Sequence, residues 1–254
     1  KMYEDLKRVI ARIYTENIEV EEILKDNEKK KYEQILNEKA EEADYKVALR
    51  NLTEYLSRYY GKNTIVLMDE YDAPLNVAFT SGFKDEAIEF IKSMMSSLFK
   101  TNNYLQCGII TGVLQIGKQS IFSDMNNLEV HSILVKEDSE FFGFTKEEVI
   151  KMLEDYDMQD RIDEVISWYD GYNFAGKEIF NPWSVINFVK FKDLNTYWHK
   201  TGSLNVLEVA KKGISQDVIN VLEGILQGNS ITMQIQDKAI YDEVEGNIEQ
   251  VLNI

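Results

Sequence analysis

The chain of 254 residues is short of several things. It has a single cysteine, Cys107, so no internal disulfide can form, and a reducing cytosol is the compartment it fits. Cys107 lies within the apolar run "LQCGIIT", where a buried structural thiol is expected. There are two histidines, His131 and His199, so no zinc constellation can be spelled. His131 sits in an apolar run and His199 beside Trp198, and both read as structural. Basic residues are outnumbered 28 to 44 by acidic ones, giving a net charge of −16. Wrapping a nucleic acid needs clustered Lys and Arg, so none is indicated as a partner. No apolar run reaches the length of a membrane span, so no membrane partner is expected. Internal repeats and low-complexity linkers are also missing.

What is present is patterned. Leu6, Val9, Ile10, Ile13 and Tyr14 recur at helical spacing. A second helical region runs from about Glu28 to Tyr60. Its first half is densely charged, and Gly61 stands where a helix-ending glycine would. Ile65 to Met68 form a continuous branched apolar run, which predicts a strand buried on both faces of a parallel sheet. Pro74 bars its simple continuation. Phe83, Ala87, Phe90, Ile91, Met94, Met95 and Leu98 then make one helical stripe. "YLQCGIIT" predicts a second strand and "VHSILV" a third. Strand, helix, strand in this rhythm implies an α/β sheet.

After "FFGF" the pattern changes, and a domain boundary is expected near Gly143. Thr145 with Glu148 spells a capping box. A further helix is expected over roughly 159–169, a hairpin between Phe174 and Phe180, and a helix starting at Asn181 and Pro182. The aromatics Trp168, Tyr169, Tyr172, Phe174, Trp183, Tyr197 and Trp198 carry no interleaved basic residues. They predict a helical core rather than a base-stacking platform. Residues 203–254 read as short helices around one strand, "SITMQI". The chain opens on helical periodicity at Lys1 and ends on an uncapped apolar pattern, so an excised piece of something longer is expected.

The chemistry is signalled at "IVLMDEYD". In open α/β sheets, ligands gather at the carboxyl ends of the strands, where Asp69, Glu70 and Asp72 stand. A phosphate-loop ATPase needs an acid here to hold Mg²⁺, usually through water, and often a second to activate the attacking water. Adjacent residues on an extended chain point to opposite sides, so Asp69 and Glu70 can take different tasks. On this stretch alone two readings stay open: a magnesium-nucleotide site, or polar residues that mark where a strand leaves the core. Thr111 ends the next strand, where such ATPases carry a polar sensor of the γ-phosphate.

"GVLQIGKQS", residues 112–120, nearly spells the phosphate loop G-x-x-x-x-G-K-[ST]. Three features count against it. Gln119 follows Lys118 where Ser or Thr is needed. The extra glycines that let backbone N–H groups turn inward are missing. The loop would also follow the acidic strand instead of preceding it, an order known only from permuted NTPases. Lys118 then reads as a basic residue near the nucleotide edge, or as a surface lysine.

The segments "VLMDEYDAPL", "IITGVLQIGKQSIFSDMNNLE", "FFGFTKEEV", "WYDGYNF", "NPWSVINF" and "YWHKTGS", in this order, resemble the AAA-ATPase-like family of bacterial and archaeal phosphate-loop ATPases. The resemblance covers roughly residues 60–205. It implies that Asp69 and Glu70 are the Walker B acids, Asp72 the acid that follows them, and Thr111 the end of the sensor strand. Lys118, Ser120 and Ser123 fall in a segment that is not the family's phosphate loop; that loop lies upstream of the first helix seen here. Relatives often carry a nuclease-like domain downstream.

The expected architecture is therefore α/β: a partial phosphate-loop NTPase parallel sheet with flanking helices over 1–143, a mostly helical lid-like subdomain over 144–202, and a short helical segment over 203–254. The expected ligands are ATP and Mg²⁺. Asp69 would hold the metal, Glu70, Asp72 and Thr111 would serve catalysis, and Thr111 and Lys118 would touch the nucleotide. A strand edge left open by a missing neighbour predicts self-association. A non-catalytic interaction module and a metal-dependent nuclease centred on Asp69, Glu70 and Asp72 are the alternatives.

Overall fold

The structure is a computed structural model that describes residues 2–112, 121–122, 125–198 and 216–232. The chain divides into two compact units, Lys1–Leu128 with Asn205–Ile254, and Glu129–Leu204.

The first unit begins with three helices, α1 (Met2–Glu16), α2 (Asp26–Leu36) and α3 (Glu42–Tyr60), with a 3-10 turn at Ile18–Ile23. The single helical region expected over 28–60 is thus broken between α2 and α3. Gly61 closes α3 in the left-handed region, its N–H donating to Ser57 O, as the sequence suggests. The interior is rich in tyrosine, which buries a large ring but needs a partner for its hydroxyl. Tyr14 donates to Ala48 O at 2.8 Å, and Tyr32 to Tyr14 O at 2.6 Å. These bonds tie the three helices to one another. Arg58 on α3 grips both oxygens of Glu28 on α2, at 2.8 and 2.9 Å.

Next come β1 (Thr64–Met68), α4 (Ala73–Ser81), α5 (Lys84–Phe99) and β2 (Leu105–Ile110). The stripe read from 83–98 is the buried face of α5, and it joins Leu75 of α4 and the tyrosine cluster in one core. β1 and β2 pair in parallel, with Ile65 opposite Cys107 and Leu67 opposite Ile109. This parallel pair, reached through helices, makes the unit α/β.

Burial of β1 on both faces is not what forms. Val66 and Met68 pack on the core, but Ile65 is 56% exposed, Leu67 73% and Ile109 54%. Cys107 lies on this same open face and is exposed, not buried. Among the described residues the sheet has helices on one side only, so every second residue faces out. The third expected strand, "VHSILV", is also absent: residues 125–133 carry no helix or strand. Its branched residues satisfy strand propensity, but a strand needs a partner edge, and propensity alone does not supply one.

The second unit contains β3 (Phe144–Thr145), α6 (Lys146–Asp155), α7 (Ile162–Tyr169), β4 (Asp170–Phe174), β5 (Lys177–Phe180) and α8 (Pro182–Phe191). The capping box forms: Glu148 N–H donates to Thr145 Oγ1, while Thr145 N–H donates to the Glu148 carboxylate. Asn181 accepts from Ser184 N–H at 3.0 Å with Pro182 in the first turn. The hairpin starts earlier than the sequence suggests, at Asp170. It turns at Ala175 and Gly176, both with positive φ, the conformation a two-residue hairpin loop requires. The strand order is β3-β5-β4, all antiparallel. Val149, Leu153, Val165, Phe180, Val185 and Phe188 fill the core. The aromatics only partly meet the expectation of a core. Tyr169 is buried, but Trp168, Tyr172, Trp183 and Trp198 stay about half exposed, because they lie on faces turned away from this small interior.

One further helix, α9 (Gln216–Leu226), is described near the end of the chain. Ser230 to Thr232 have no strand geometry, and the rest of "SITMQI" lies outside the described residues.

Candidate functional site

The carboxyl ends of β1 and β2 lie side by side, since Met68 pairs with Ile110. Thr111 N–H donates to Met68 O at 2.8 Å and extends the pairing by one residue. The chain beyond β1 then turns sharply. Glu70 has φ +50°, a left-handed conformation that costs a non-glycine residue about 1 kcal/mol or more. Without that kink, alternation would put Asp69 and Glu70 on opposite sides. With it, both acids are exposed while Tyr71 and Asp72 turn inward.

Thr111 holds this turn. Its hydroxyl donates to Asp69 Oδ1 and accepts from the Glu70 N–H at 3.2 Å. Its carbonyl accepts from the Tyr71 N–H at 3.0 Å. With the bond to Met68, one residue of β2's end makes four hydrogen bonds to residues 68–71. Ala73 N–H donates to Glu70 O, and Leu75 N–H to Asp72 O, both at 3.0 Å, which leads the chain into α4. Pro74 in the first turn of α4 starts this helix rather than simply stopping the strand; Asp72-Ala73-Pro74 is the signal that could have announced it.

Of the predicted residues, Asp69, Glu70 and Thr111 come together. Asp72 is 1% exposed at the N-terminal end of α4, and its Oδ1 lies 2.9 Å from where a Cβ on Gly112 would stand. Among the described residues no group of three or more acidic, His or Cys side chains is placed to hold a metal. No ion pair is formed by Asp69 or Glu70 among those residues either. Lys118, Ser120 and Ser123 lie outside the described residues, as does His199. His131 belongs to the second unit, where Nδ1 lies 3.0 Å from Asp138 Oδ2; this carboxylate raises the imidazole above its ordinary value.

Two residues beside the acids, Tyr71 and Gly112, meet in a way that no sequence signal announced. Tyr71 is buried, its ring edge-on to Phe122 at 5.0 Å between centroids. Gly112 backs onto that ring. Their contact joins residues far apart in sequence, so no local pattern could have shown it.

Residues 3–122 match the model of the AAA-ATPase-like family, described as "Predicted AAA-ATPase". Over that stretch, the match supports assignment to the AAA-ATPase-like family. The matched residues of the AAA-ATPase-like unit include both acids, the threonine and the turn between them. An uncharacterized protein in the vnfD 5′ region of Azotobacter chroococcum mcd 1 is 28% identical over 145 residues, 56% of this chain. The match covers 28% of that protein's own length. No solved structure matches the chain. No helix among the described residues is long and apolar enough to cross a membrane.

Proposed function

We propose that the first unit is the acid-bearing part of a nucleotide site, and that the full-length protein binds ATP with Mg²⁺ and hydrolyses it as a conformational switch. The observation that carries this reading is the junction at the ends of two adjacent parallel strands: Thr111 bridges Asp69 and the Glu70 backbone, and both acids are exposed, with no ion-pair partner among the described residues. The family match over residues 3–122 supports it. In this reading the sheet is part of a phosphate-loop fold.

The donors suit Mg²⁺, which prefers oxygen ligands and keeps several of its own waters. Asp69 would hold it, and such an ion, when bound, neutralises charge developing on the phosphate oxygens. Glu70 orients the attacking water and takes its proton. Thr111, whose hydroxyl proton is donated to Asp69, would sense the γ-phosphate through that acid. Asp72, sealed at the start of α4, keeps that helix and the turn in place. Lys118, which follows the β2 strand in sequence, would be the basic residue near the nucleotide edge.

Residues 1–254 contain no full phosphate-loop pattern, and such a loop supplies most phosphate contacts. The 254-residue chain by itself is therefore expected to bind ATP weakly or not at all. Calorimetry on the full-length protein with Mg-ATP tests the reading. Asp69→Asn is expected to weaken Mg²⁺-dependent binding about tenfold or more, the equivalent of one charge-assisted contact. ATP affinity that ignores both Mg²⁺ and this substitution would overturn it.

A further inference from the structure

We infer that Tyr71 and Gly112 are positioning residues for Glu70: the tyrosine ring, seated on the glycine backbone, holds Glu70 in the left-handed turn that follows Asp69. The inference rests on the nucleotide-site reading for its kinetic consequence, but the geometry stands apart from it.

A Cβ built on Gly112 would lie 2.5 Å from Tyr71 Cε1, 2.6 Å from Cδ1 and 2.9 Å from Asp72 Oδ1. Two of these atoms belong to a rigid ring, and the ring is enclosed: Tyr71 is 8% exposed and meets Phe122 edge-on. It has little room to retreat. Gly112 is not in the left-handed region, so its backbone suits any residue and the requirement is one of space alone. The glycine lets the chain after β2 approach the turn after β1 closely enough for the Thr111 carbonyl to accept from the Tyr71 N–H. That bond lies one residue beyond Glu70, and the bond from the Glu70 N–H to the Thr111 hydroxyl lies at it. The strained residue is thus held by Thr111 through hydrogen bonds and by Gly112 through the ring. An added methyl at 112 pushes Tyr71 away, stretches both bonds and lets Glu70 relax toward an ordinary φ. Its carboxylate is then displaced from its present place at the strand end, while residues that hold ATP elsewhere are untouched. A general base displaced in this way costs turnover more than binding.

The test uses the full-length protein with Gly112→Ala, Tyr71→Leu and the double variant. Two readouts are followed: hydrogen exchange of the peptide spanning residues 68–73, and ATP turnover against ATP affinity. In Gly112→Ala the 68–73 amides are expected to exchange about tenfold faster. Turnover falls at least tenfold with ATP affinity kept within about twofold. In the double variant the smaller, flexible leucine makes room for the methyl, and at least half of the lost protection and turnover on a logarithmic scale returns. Thr111→Val separates the two holds, since it loses the hydroxyl bonds but leaves Gly112 and Tyr71 in contact. Unchanged exchange in Gly112→Ala, or a double variant no better than the single one, overturns the inference. So does a Gly112→Ala that loses ATP affinity in step with turnover. Should the unaltered protein fail to turn over ATP, the nucleotide-site reading fails, and the exchange arm still judges the Tyr71–Gly112 hold.

Discussion

The two sheets of this molecule are finished in opposite ways. The antiparallel sheet of the second unit is closed by a two-residue turn and buries Ile179 and Phe180 completely. The parallel pair of the first unit is joined through two helices and covers only one of its faces among the described residues. A hairpin can be completed by its neighbours in sequence, whereas a parallel pair depends on long crossovers and distant elements. The sheet that carries the acids is the less complete of the two, and its strand ends are fastened by Thr111 instead of by bulk packing. One sheet builds a core, and in the proposed reading the other presents a site.

The sharpest way to break this contrast is in the closed sheet. Phe180→Ala empties a fully buried position between β3 and β4. It is expected to cost about 3–5 kcal/mol, measured by denaturant unfolding followed in the second unit. A loss below about 1 kcal/mol would mean that this sheet is no better packed than the parallel pair.

A smaller effect belongs to the helices that back the open sheet. Arg58 lowers the Glu28 carboxyl to about 2, through two hydrogen bonds. Glu28→Gln should cost about 1 kcal/mol at neutral pH, as partly exposed but bidentate pairs do. Because the folded value lies below the unfolded one of 4.5, the pair's contribution is complete above that pH. It is lost as pH falls through about 2. Unfolding curves of the two proteins should therefore converge between these limits. A gap that stays constant over that window would exclude the ion pair as its cause.

The smallest effect is expected on the open face. Leu67→Thr in the 254-residue chain removes an apolar group that is 73% exposed and should change stability by less than about 0.5 kcal/mol. A loss of 2 kcal/mol would show that the face is covered in solution and would erase the contrast with the antiparallel sheet.

Much of this was legible in the sequence wherever the signal was local. Thr145 with Glu148, Asn181 with Pro182, and Gly61 each end or begin a helix as their spacing predicts, since a cap involves only three or four neighbouring residues. The buried stripe of α5 was readable for the same reason. The order Asp69, Glu70, Thr111 pointed to one place because strand ends and acids coincide. What failed depends on partners far along the chain. The run Ile65 to Met68 looks buried on both sides, yet nothing in it says how many helices will cover the sheet. "VHSILV" has strand propensity without an edge to join. The left-handed turn at Glu70 and the close approach of Gly112 to Tyr71 are set across about forty residues, and neither leaves a mark in the spacing.

The account rests on Glu70 serving the chemistry and not merely the turn. Single-turnover hydrolysis of ATP by the full-length Glu70→Gln protein, with ATP affinity measured alongside, tests this directly. The substitution keeps the side chain's size but removes its capacity to take a proton. The account predicts hydrolysis slowed by about a hundredfold or more, as for loss of a general base, with ATP affinity within about twofold. Hydrolysis at the unaltered rate in Glu70→Gln would contradict it and leave the acids at the end of β1 a structural role alone.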